Sequence, residues 1–116
     1  MPFDESLGLR IAAALDNVGV GYVEKRMFGG LGFMIDNKMC IGVVKDDLMV
    51  RVLDEKFDRV MAMPNVRPMD FTGRPMKGFI FVEPAGVTDT GSLRTFVDLA
   101  VEFGKFGKVK TKKTAG

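Results

Sequence analysis

Residues 23–52 read VEKRMFGGLGFMIDNKMCIGVVKDDLMVRV, and this run decides the fold. Its apolar residues come in short bursts separated by a glycine pair and polar clusters, the pattern of an antiparallel meander. One strand is expected from Val23 to Phe28, resuming from Leu31 to Ile35, with Gly29-Gly30 between as a bulge or a tight turn. Asp36-Asn37-Lys38 reads as a turn, Met39 to Val44 as the next strand, Lys45-Asp46-Asp47 as a second turn and Leu48 to Val52 as the strand after it. In that last strand Leu48, Val50 and Val52 fall on one face, with Met49 and Arg51 on the other.

On both sides of the meander the apolar period lengthens to that of a helix. Leu7, Ile11, Ala14, Leu15 and Val18 share a face of an expected helix from Glu5 to Val18, capped by Asp4 and ended by Gly19. A short helix is expected from Glu55 to Met63, with Asp54 as its cap, Phe57, Val60 and Met61 as its buried stripe and Pro64 as its stop. Pro64, Pro68, Gly73 and Pro75 then predict an irregular, semi-rigid connection with a brief strand around Pro68 to Phe71. Gly78 to Val82 is the clearest single strand. A last helix is expected from Thr90 to Phe103, capped by Asp89, with Leu93, Phe96, Val97, Ala100 and Val101 facing inward. Leu99 and Phe103 make most of that helix apolar, so it either packs with neighbours on both sides or meets a partner. The sum is an α+β domain over residues 1–104, an antiparallel sheet with packed helices, followed by a lysine-rich tail over 105–116 that is expected to be flexible.

At 116 residues the chain suffices for one domain, and 47% hydrophobic with 28% charged residues is a globular balance. With no histidine, no Ser-His-Asp or Cys-His site and no histidine-ligated metal can form. No acidic cluster suggests another metal, and no cofactor is expected. One cysteine, Cys40, excludes an internal disulfide and fits a reducing, cytoplasmic setting. No signal segment or bilayer-length apolar run is present, so no membrane role is expected. Charge is split: residues 1–104 hold 12 basic and 15 acidic residues, whereas Lys105, Lys108, Lys110, Lys112 and Lys113 stand in the tail without an acid.

Two blocks carry a resemblance. Arg26-Met27-Phe28-Gly29-Gly30-Leu31-Gly32-Phe33, followed by Asp47-Leu48-Met49-Val50-Arg51-Val52, resembles the front half of the TfoX/Sxy N-terminal domain. Arg67-Pro68-Met69-Asp70-Phe71-Thr72-Gly73-Arg74-Pro75-Met76-Lys77-Gly78-Phe79 resembles its second block, and the likeness spans about residues 5 to 104. The resemblance implies the order α-β-β-β-α-β-β-α and a role in bacterial regulation: such proteins promote natural competence alongside a cyclic-AMP-dependent transcription factor. Full-length members carry a second, helical C-terminal domain; this sequence has the lysine-rich segment there and reads as a stand-alone first domain. The family implies no catalytic residues.

The candidate interaction or anion site comprises Arg26, Met27, Phe28, Gly29, Gly30, Arg51, Gly73, Arg74, Pro75 and Met76. Guanidinium groups at 26, 51 and 74 would bind carboxylate or phosphate if they converged, and would otherwise pair with local acids such as Asp70. Cys40 reads as an inert buried thiol and the methionines as core filler rather than an adaptable surface. The five tail lysines would give weak, sequence-blind contact with nucleic acid, or serve only as a solvated end. Residue chemistry thus favours a module with a protein partner, such as a second copy, over an enzyme or small-anion binder, and the resemblance implies transcription machinery as that partner.

Overall fold

The computed structural model describes residues 3–27, 29–71 and 74–107, with the backbone alone at 27, 69–71 and 74–77. Helix α1 (Glu5–Val18) is followed by a four-stranded meander, β1 (Val23–Met27), β2 (Gly30–Ile35), β3 (Lys38–Val44) and β4 (Asp47–Arg51). Helix α2 (Asp54–Met61) leads to the hairpin β5 (Val66–Phe71) and β6 (Arg74–Val82). A 3-10 turn (Pro84–Val87) then leads into α3 (Thr90–Phe106). The six strands form one antiparallel sheet in the order β1-β2-β3-β4-β6-β5. This is the expected α+β architecture, with four strands rather than three before α2.

Short turns set the register. Met27 pairs with Gly30, so Gly29 belongs to the tight β1–β2 turn, at φ 73°, and not to a bulge. Asp36 and Asn37 both take positive φ in the β2–β3 turn, a conformation their short polar side chains tolerate. The bulge lies elsewhere: Phe33 pairs with Ile41 but Met34 with Met39, leaving Cys40 without a register partner on β2. Cys40 and Ile41 consequently both enter the core.

Three helices share one face of this sheet. Leu7, Ile11 and Leu15 of α1, Val60 of α2, and Leu93, Phe96, Val97, Ala100, Val101 and Phe103 of α3 join Phe33, Ile35, Val43, Leu48, Val50, Val52, Ile80 and Val82 in one buried cluster. Each of these side chains apart from the small Ala100 contributes about 1.5–3 kcal/mol relative to exposure. Met49 lies in a second cluster on the opposite face, as the alternation along β4 requires.

Three expectations are corrected. Asp54 is the first residue of α2 and not its cap; Leu53 holds the cap position without a side-chain hydrogen bond, and Asp54 acts instead as an acid in the helix's positive first turn. The proline-rich connection is a β-hairpin: the brief strand expected around Pro68 to Phe71 is β5, starting at Val66, and the strand expected from Gly78 begins at Arg74. Pro68 sits on the edge strand β5, and Pro75 lies where β6 runs past the end of β4 and pairs only with β5, so neither ring removes a central ladder bond. Helix α3 continues through Lys105 to Phe106 because Gly104 is a contact rather than a stop. A Cβ at Gly104 would lie 2.6 Å from Ile35 Cγ2 and 2.9 Å from Ile35 Cβ.

Gly104→Ala is therefore expected to destabilise the protein, since overpacking costs about 1–3 kcal/mol. The gain of ~1 kcal/mol in helix propensity offsets only part of this, because the branch point of Ile35 is fixed to β2 and cannot swing aside. A lowered urea midpoint at unchanged m-value is the outcome to look for; an unchanged midpoint would contradict the close approach.

Candidate functional site

The sheet face away from the helices is built from strand residues alone among those described. Met49 and Phe81 are its buried centre, with Met39, Val44 and Phe79 packed around them. Gly32 and Gly42 face each other across β2 and β3, and the Met39 side chain fills the space where a Gly32 Cβ would stand. A sheet covered on one side ordinarily turns polar residues outward, so an apolar centre here departs from the usual alternation.

Two arginines border this face in similar poses with different partners. The Arg67 guanidinium stacks on Phe81 at 4.8 Å and is paired with Asp47 and, at 3.6 Å, with Glu83. Burial nonetheless holds the Asp47 carboxyl above its ordinary value, and the Arg67 charge offsets this only in part. Arg51 lies 4.7 Å from the centre of the Phe79 ring, its cross-strand partner, and 4.5 Å from that of Phe103 on α3. Its buried Nε meets no acceptor, and desolvation pulls its pKa below the ordinary arginine value. Arg51 thus ties the end of the sheet to the last turns of α3 through two cation–π contacts, each contributing about 0.5–1 kcal/mol or more when desolvated.

The expected arginine constellation is only partly visible. Arg26 is on the edge strand β1 and stacks over Phe3 at 5.3 Å. Two strands separate it from Arg51, roughly 14 Å at ~4.8 Å per strand. Arg74, Pro75 and Met76 start β6, where only the backbone is described; Gly73 and Phe28 lie outside the described residues, as does the side chain of Met27. Gly29 and Gly30 form the β1–β2 turn and the first residue of β2. Lys105 is exposed on α3, while Lys108, Lys110, Lys112 and Lys113 lie outside the described residues.

Sequence reasoning did not single out a groove between α2 and α3. Its volume is about 580 Å³; Val60 and Val101 lie buried at its base, Met63 and Leu99 are half-buried, and Phe106, also in the lining, has 70% of its surface exposed. The apolar character of α3 at Leu99 was the available signal. Across the groove Lys56 Nζ meets Glu102 Oε1 at 2.5 Å, and along α3 Arg94 meets the lining residue Asp98 at 2.8 Å. Arg59 and Lys105 on the rim have no ion pair among the described residues. Among the described residues no group of His, Cys, Asp and Glu could hold a metal ion, and no helix is long and apolar enough to cross a membrane.

Residues 13–104 match the family model of the TfoX N-terminal domain, which covers most of the chain. Neither the curated proteins nor the solved structures gave a match.

Cys40 is fully buried in the core, with its Sγ donating to the Lys38 carbonyl at 3.2 Å, and burial pushes the thiol up to about 11. The unfolded chain releases this proton at lower pH than the native one. The thiol's contribution to stability is therefore complete below about 9 and is lost as the pH rises toward 11. A neutral-pH thiol probe is expected to label Cys40 only under denaturing conditions, and rapid labelling of native protein would contradict this burial.

Proposed function

Since the chain belongs to the TfoX N-terminal domain family, we propose that it is a non-catalytic regulatory module that acts by binding a protein of the transcription apparatus in the cytoplasm. The observation that carries the reading is the α2–α3 groove, where half-buried Met63 and Leu99 and the exposed ring of Phe106 lie among charged side chains. An aromatic side chain left in water beside an apolar groove marks a contact surface better than scattered exposure does. The family itself supports the regulatory part, being named for a competence-related domain.

An arginine-lined site for a small anion is the less supported alternative, because Arg26 and Arg51 stand strands apart and each is stacked on its own aromatic partners. Nucleic-acid contact through Lys105, Lys108, Lys110, Lys112 and Lys113 is a subsidiary part of the proposal. Five phosphate contacts at roughly −0.9 each give a salt slope of about −4.5 on duplex DNA, with no sequence preference.

Deleting the gene in its native cell is expected to change a defined set of transcripts, which the wild-type protein restores and Phe106→Ser does not. No transcript change on deletion would sink the regulatory reading. For the tail, anisotropy of labelled duplex DNA at about 50 and about 200 mM salt compares the whole chain with a version ending at Gly107. Binding by the whole chain alone, falling steeply with salt, is expected; equal behaviour of the two versions would remove nucleic acid from the proposal.

A further inference from the structure

We propose that the α2–α3 groove receives an acidic amphipathic helix of the partner protein. This inference rests on the interaction-module reading and specifies the chemistry of its ligand.

The groove selects for shape and for charge. Its walls are two helices, α2 and α3; Val60 and Val101 are its buried floor, and the apolar surface it offers is half-buried Met63 and Leu99 with the exposed Phe106. A channel between two helices is the common seat for the apolar stripe of a third, which presents side chains at i, i+3, i+4 and i+7. Phe106 is the most exposed of these apolar residues. Both acids of the lining are already engaged, Glu102 by Lys56 and Asp98 by Arg94. The charges left over are Arg59 on α2 and Lys105 on α3, both exposed and both positive. From Lys105 the sequence continues with Lys108, Lys110, Lys112 and Lys113 and no acid. A helix seated here with carboxylates on its flanks would answer those cations, whereas a basic helix would meet like charge.

The same charge argument disfavours the chain's own C-terminal segment as the occupant, because its lysines would be brought against Arg59 and Lys105. A second copy of the chain is the other possible occupant, and the oligomeric state tests it.

The experiment uses the full chain and two fluorescein-labelled peptides of about 18 residues, roughly five helical turns. Each carries a leucine stripe; one has Glu on its flanks, the other Lys at the same positions. The Glu peptide is expected to bind saturably and at least about tenfold more tightly than the Lys peptide. Phe106→Ser, Arg59→Glu and Lys105→Glu are each expected to weaken it several-fold, while Lys25→Glu on the distant β1 edge leaves it unchanged. All four positions are exposed, and thermal melts of each variant confirm that the fold is retained. Equal affinity for the two peptides, or equal weakening by Lys25→Glu and Lys105→Glu, would overturn the proposal. A dimer in light scattering that Phe106→Ser dissolves would also overturn it, since the groove would then belong to a second copy. If the transcripts respond to Phe106→Ser but the peptides are not distinguished, the regulatory module stands and the acidic-helix assignment falls.

Discussion

The approach of α3 to the sheet at Gly104 is the constraint on which the described surfaces depend. With no side chain there, the helix backbone comes down onto Ile35 and onto Cys40, whose Sγ would be 3.4 Å from a Cβ at that position. That depth places Phe103 within reach of Arg51 and lets Lys38 Nζ bond to the Gly104 carbonyl at 2.9 Å. The Lys38 ammonium satisfies a carbonyl that the helix end would otherwise leave exposed, and its charge complements the negative end of the helix. The last turn of α3 is thereby held in register, and with it Lys105 and Phe106 at the mouth of the α2–α3 groove.

Much of this fold was legible in the sequence because its signals are local. The α1 boundaries follow from Asp4, the 3.6-residue stripe and Gly19, and the structure places the helix at Glu5–Val18 with both caps as read. The Asp89 cap and the inward face of α3 followed in the same way. The errors arose where a local signal has a tertiary purpose. The strand at Pro68 was legible, but Pro75 argues against a strand unless one knows that it lies beyond the neighbouring strand's end. The helix end expected at Phe103 falls three residues short, because the role of Gly104 shows only once Ile35 is seen beneath it.

Surfaces were harder to read than elements. Arginines at 26 and 51 are equally suggestive in a linear sequence, yet their separation depends on how many strands intervene. The groove needs α2 and α3 to lie side by side, although 46 residues separate Lys56 from Glu102. The apolar excess on α3 was visible; the neighbour that converts it into a channel was not. The alternation along β4 did place Met49 opposite Leu48 and Val50, but not that its face would carry an apolar centre of its own.

The strand order has a consequence for how the molecule guards itself. β6 is later in sequence than β5 but lies inside it, so the β5–β6 hairpin joins the sheet as a unit and caps the open side of β4. The first four strands are joined by short turns and pair locally, whereas the β4–β6 ladder closes a loop from Leu48 to Val82 and carries a larger entropic cost. Detachment of this hairpin would expose the backbone edge of β4 between the buried side chains of Leu48 and Val50. A bare, apolar edge is the template on which sheets polymerise. The hairpin that carries the second family-like block therefore also serves as a shield against self-assembly.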